Sequence, residues 1–189
     1  MYNFRPNIII GFHGCSKDVA TRVINGKEEL EISRNNYDWL GDGVYFWEND
    51  YERALEFAIE NNKEEPFVIG AAIYLGNCLD LTIRQNARIL KEAYSNLLEE
   101  NVRISTKNVA GKTGLTENLP VRFLDCAVIK AIHDFNEKNN FKAYDSVRAA
   151  FWEGEPLYET AGFYDKNHIQ LCIRNTNCIL GYFLPKMKK

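Results

Sequence analysis

The sequence predicts a mixed α+β domain, on two observations. Residues 7–13, 44–47 and 67–75 are short runs rich in Ile, Val, Tyr and Phe, which suit a pleated, buried surface better than a helix. The order strand, helix, strand, helix, strand, two helices, then three strands lacks the regular alternation of a doubly wound parallel sheet. With 189 residues, 46% of them hydrophobic, the chain has enough apolar material for one core, and residues 1–189 are read as a single domain.

Each element has a local reason. The run 7–13 ends at Gly14 and reads as a buried strand delivering His13 to its C-terminal end. Ser16 or Asp18 caps a short helix that Asn25 and Gly26 stop. Residues 30–43 are polar, carry Asn35, Asn36, Gly41 and Gly43, and read as a loop. After the strand 44–47, Asn49 or Asp50 caps a helix whose Ala54, Phe57 and Ala58 fall at i, i+3, i+4 and form its inward stripe. Pro66 opens a strand that Gly76 and Asn77 terminate. The helix 85–100 carries Ile89, Leu90, Ala93, Leu97 and Leu98 on one face. A long polar loop, 101–119, precedes a second helix at 123–138. Residues 146–152, 168–174 and 178–183 read as strands, the last two joined by the turn Asn175-Thr176-Asn177.

Several function classes are set aside. A net charge of −3 argues against a protein held to nucleic acid by a basic surface, and Lys186, Lys188 and Lys189 read as a solvated end. Five cysteines without a C-x-x-C pair suggest reduced thiols, with neither a disulfide framework nor a metal site. No leader pattern and no apolar run of membrane-spanning length is present, so the expected location is the cytoplasm. Ala110-Gly111-Lys112-Thr113 ends like a phosphate loop, but Thr106 stands where its first glycine belongs. Gly41-Asp42-Gly43 begins a dinucleotide fingerprint, but Phe46 replaces its third glycine and the segment precedes a strand instead of following one. No G-x-S-x-G elbow accompanies the three histidines.

Three segments carry a resemblance. Phe12-His13-Gly14-Cys15, then Leu40-Gly41-Asp42-Gly43-Val44-Tyr45-Phe46-Trp47 with its following helix, then the strand containing Gln170-Leu171-Cys172-Ile173-Arg174 resemble the three motifs of the diphtheria-toxin-like branch of ADP-ribosyltransferases, which includes the poly(ADP-ribose) polymerases. The resemblance covers His13 to about Phe57 well and 151–183 less closely. It implies split mixed or antiparallel sheets with flanking helices, and cleavage of NAD with transfer of ADP-ribose to an acceptor. His13 would hydrogen-bond the adenosine ribose, and the Gly14 backbone would grip the nicotinamide carboxamide. Tyr45 would stack on one face of nicotinamide and Phe57 on the other. Ala54 stands where a carboxamide-binding serine is found.

Gln170 occupies the place of the catalytic glutamate. An amide can accept a hydrogen bond from the ribose, but it cannot offset the positive charge developing there. Family members without the glutamate are mono-ADP-ribosyltransferases or inactive. The resemblance therefore implies a mono-ADP-ribosyltransferase of toxin or defence type, bacterial or from a phage, with a protein or nucleic acid acceptor and a neutralising antitoxin as partner. The alternative is a non-catalytic module that binds NAD or ADP-ribose. Glu153 and Glu155, in the segment that forms the family's acceptor-recognition loop, are candidates to take the acceptor's proton. Arg34, with Ser33 beside it, is the candidate pyrophosphate contact. His168 alternates onto the face of Gln170 and is read as a hydrogen-bonded histidine without a catalytic part.

Overall fold

The computed structural model describes residues 8–61, 64–99 and 122–186; the loop 101–119, the phosphate-loop-like 110–113 and Lys188 and Lys189 lie outside them. Strands β1 (Ile9–Ser16), β2 (Val44–Glu48), β3 (Pro66–Ile73), β4 (Cys78–Asp80), β5 (Ser146–Phe151), β6 (His168–Ile173) and β7 (Ile179–Phe183) form one seven-stranded sheet in the order β4-β5-β6-β2-β1-β3-β7. Helices α1 (Lys17–Ile24), α2 (Tyr51–Glu60), α3 (Arg84–Glu99) and α4 (Phe123–Lys138) flank it. Only β4 and β5 run parallel, so the fold is α+β with a mixed sheet.

Local chemistry sets the boundaries. The Ser16 side chain accepts from Val19 N at 3.3 Å and starts α1, which ends at Asn25 before Gly26 in a left-handed conformation. Asp50 accepts from Arg53 N at 2.9 Å and starts α2. One expectation is corrected: His13 does not end its strand, since β1 continues to Ser16 with His13, Gly14 and Cys15 paired with Ile69, Val68 and Phe67 of β3. The strand opened by Pro66 ends before Gly76 and Asn77, and a short strand that the sequence did not reveal, β4, follows and pairs with β5.

The sheet is joined at its centre by a narrow seam. Between β1 and β2 the ladder consists of Gly11 with Glu48 and Phe12 with Trp47. Beyond it β1 runs along β3, while β2 runs along β6 from Trp47 to Val44. One face is covered by α1, whose Ala20 and Val23 pack with Cys15, Phe46, Ile69, Ile73, Leu171 and Ile173. On the other face α2 sets Ala54 against Trp47 and Val68, and α4 sets Ile129 and Ile132 against Val147, Ala149 and Cys172. Partly buried Ile89, Leu90 and Ala93 bring α3 against this second cluster.

Candidate functional site

Sheet register decides which side chains can meet. Directly opposed residues of an antiparallel ladder point to the same face. Phe12 faces Trp47, Trp47 faces Gln170, and Gln170 faces Ala149. With alternation along each strand, Tyr45, Trp47, His168, Gln170 and Phe151 therefore share the face covered by α2 and α4, and His13 points to the other. The His13 ring lies edge-on to Phe46 with centroids 5.8 Å apart. Its Nδ1 donates to the Tyr45 carbonyl oxygen at 2.8 Å, a contact that ties β1 to β2 just beyond the seam. The structure thus joins His13 to Tyr45 through main chain and groups Tyr45 with Gln170, but it does not place His13 and Gln170 on one face.

The segment around Tyr45 is held from several sides. The Tyr45 hydroxyl donates to Gly41 O at 2.6 Å and accepts from Leu40 N at 2.9 Å, and burial pushes its pKa well above the ordinary value. Asp42 pairs with Lys130 of α4 at 2.7 Å. A Cβ at Gly43 would overlap the Cys172 sulfur on β6, so only glycine allows the loop to approach there. Gly14 has a similar role: its missing side chain leaves room for the Ala54 carbonyl of α2. Ser33 donates to Asp38 at 2.7 Å and pairs by its backbone with Gly43, while Arg34 is exposed beside it.

A cluster of aromatic rings surrounds His168. Trp39, Trp47 and Phe151 lie with ring centroids 6.4, 6.4 and 5.7 Å from the imidazole. Phe57 packs on Trp47 at 4.9 Å. Two guanidinium groups cover the outer rings: Arg53 lies 5.9 Å from the centre of Trp47 and Arg122 4.5 Å from that of Trp39. Within this group Trp47 Nε1, His168 Nε2 and Gln170 Oε1 are buried and have no hydrogen-bond partner among the described residues. Buried polar atoms are nearly always paired, and leaving one unpaired costs about 1–3 kcal/mol. Three such atoms lie on one face of the adjacent strands β2 and β6.

Charged groups frame the cluster. Arg53 donates to Glu153 at 3.0 Å and lies within 3.8 Å of Glu56 and Glu60, which in turn approach Lys166. Glu153 is 3.6 Å from His168 Nδ1, and that nitrogen is 2.9 Å from the Lys166 carbonyl. Burial lowers the His168 pKa, with a partly opposing contribution from the Lys166 carbonyl. The imidazole is therefore neutral, with its proton on Nδ1, and Nε2 presents a lone pair. Beside His168, a cleft of about 420 Å³ is lined by Glu48, Asp50, Phe151, Trp152 and Ile169 at the ends of β2, β5 and β6. On the opposite face Arg148 makes a bidentate pair with Glu48 at 2.6 and 2.9 Å and a contact with Asp80 at 3.0 Å.

Sequence-derived candidates fall into three groups. Gln170, Tyr45, Phe57 and Glu153 stand on or beside this face. His13 and Gly14 lie at the seam, and Arg34, Ser33 and Glu155 lie in loops, with Glu155 exposed beside the Asp165 carboxylate that its backbone N–H reaches. Trp39, Trp47, Arg53, Arg122 and His168 escaped the sequence reading as site residues. For His168 a signal existed, since it lies two residues from Gln170 on the same strand; for Trp39 and Arg122 only the packing of distant segments reveals it. No family model, curated protein or solved structure matches the chain.

Proposed function

We propose that the chain is a mono-ADP-ribosyltransferase that cleaves NAD on the β2–β6 face. The observation that carries this reading is the set of three unpaired buried atoms between aromatic rings: one donor, Trp47 Nε1, and two acceptors, His168 Nε2 and Gln170 Oε1. That set complements a carboxamide or a ribose diol, each of which offers both donors and acceptors. Trp39, which is partly exposed, offers an aromatic surface that suits a flat cationic ring such as nicotinamide in NAD. Arg53 and Arg122 supply positive charge within reach of a pyrophosphate, and each has an unpaired Nε among the described residues. Gln170, in the position of the family's catalytic residue, lies in this group.

Two aspects of the resemblance are modified. Tyr45 holds the 40–41 loop with its hydroxyl, so stacking passes to Trp39. Glu153 is tied to Arg53 and orients other groups instead of taking a proton itself. The excursion between β5 and β6 exposes Leu157, Tyr158 and Phe163, which favours a protein acceptor over nucleic acid.

A second reading, a non-catalytic module binding NAD or ADP-ribose, is favoured by one feature, the amide of Gln170 where a carboxylate would do chemistry. Nicotinamide release from NAD labelled in the pyridine ring separates the two. Turnover by the purified chain, reduced at least tenfold in Gln170→Ala and by more than any loss of NAD affinity, is expected for the enzyme. Binding without release would establish the module instead, and absence of both would remove the NAD reading.

A further inference from the structure

We propose that His168 is the general base of the transfer, with Glu153 and the Lys166 carbonyl as its positioning groups. This rests on the NAD reading above and assigns a step that the reading leaves without a base. The side chain of His168 is 1% exposed, yet its Nε2 has no partner among the described residues. One side of the ring is fixed: Nδ1 donates to Lys166 O at 2.9 Å and faces the Glu153 carboxylate at 3.6 Å. Fixing one nitrogen as the donor makes the other an acceptor, and here that acceptor shares a strand face with Gln170, whose own acceptor is unpaired.

The rivals for the role are less well placed. Glu153 already accepts a hydrogen bond from Arg53 at 3.0 Å, and Glu155 is exposed on the excursion. Of the other histidines, His13 lies on the opposite face and His133 packs against Tyr144 beside α4. A cleft lined by His168, Asp50 and Trp152 opens beside this residue.

The step balances as follows. The bond between the ribose C1 and the pyridine nitrogen of NAD breaks, and the nitrogen keeps the electron pair and leaves as neutral nicotinamide. A lone pair of the acceptor's oxygen or nitrogen forms the new bond to that carbon. The proton displaced from the acceptor passes to His168 Nε2 and from there to solvent.

Groups facing His168 set the pH dependence: Glu153 from the excursion raises its pKa, Arg53 of α2 lowers it and Asp50 before α2 raises it, all beneath a larger lowering by burial. Transfer should therefore fall on the acid side through a group titrating below 6.5, the ordinary histidine value. Steady-state transfer and nicotinamide release by the full chain, followed from pH 4 to 8 beside NAD binding, test this. His168→Gln and His168→Asn should lower transfer by roughly a hundredfold to ten-thousandfold and lose the acid limb. Glu153→Gln should keep the limb but move it to lower pH, a readout that needs no His168 variant. Wild-type release with either His168 variant within threefold of it, or a limb that Glu153→Gln leaves in place, would overturn the base while sparing the NAD reading. A wild-type chain that neither binds nor cleaves NAD would overturn both.

Discussion

A methyl group added at Gly14 would meet the main-chain oxygen of Ala54, and a helix backbone cannot rotate away as a side chain can. Gly14→Ala should therefore cost about 1–3 kcal/mol, read as a lower urea midpoint with an unchanged slope. Gly162→Ala, which meets nothing within 4 Å, should stay within about 0.5 kcal/mol of the parent. Arg148 makes a second residue-level case. Its partners Glu48 and Asp80 are 13% and 3% exposed, so Arg148→Met removes the cation that both carboxylates face and should cost about 3–5 kcal/mol. Adding Glu48→Gln should restore part of that loss, measured as a double-mutant cycle. Sequence spacing was enough to single out Tyr45 and Gln170, which do share a face. It was silent on Trp39 and Arg122, because the contact of Trp39 with His168 and of Arg122 with Trp39 depends on how the 30–43 loop and the start of α4 pack over β6.

Caps and periodicity made the larger elements legible. The helix at 123–138 and the stripe of Ala54 and Ala58 needed only their own residues to be read, since apolar spacing at 3.6 residues per turn is a local property. Three residues of β4 carry too little pattern, and their pairing with β5 comes from 68 positions away along the chain. The face of His13 was equally beyond the sequence: it depends on the β1–β2 register, and a shift by one residue would exchange the faces. Asp50 gives the element-scale prediction. Asp50→Ala removes the acceptor for Arg53 N and should cost about 1 kcal/mol, checked by urea denaturation. Because Arg53 begins at that cap, the same variant should also weaken NAD binding under the proposed function.

Across the whole molecule, protonation couples the α4 side of the core to stability. His133 is buried against Tyr144, and burial, reinforced by Arg174 and opposed by Asp42, lowers its pKa to about 4. The unfolded chain takes up this proton near 6.5 and the folded chain near 4, so stability is full above pH 6.5 and falls as pH drops through that window. The loss is about 3 kcal/mol at its lower end. His133→Leu should flatten the urea midpoint between pH 6.5 and 4, leaving the smaller slope expected from His168, whose pKa is lowered too.

The most direct test of the proposed nucleotide site uses the chain's own fluorescence. All three tryptophans report on it: Trp39 and Trp47 flank His168, and Trp152 lines the adjoining cleft. Titration with NAD should quench their emission saturably, and the quenching should weaken in Arg53→Gln. Emission that stays constant up to millimolar NAD, in folded protein, would contradict the account.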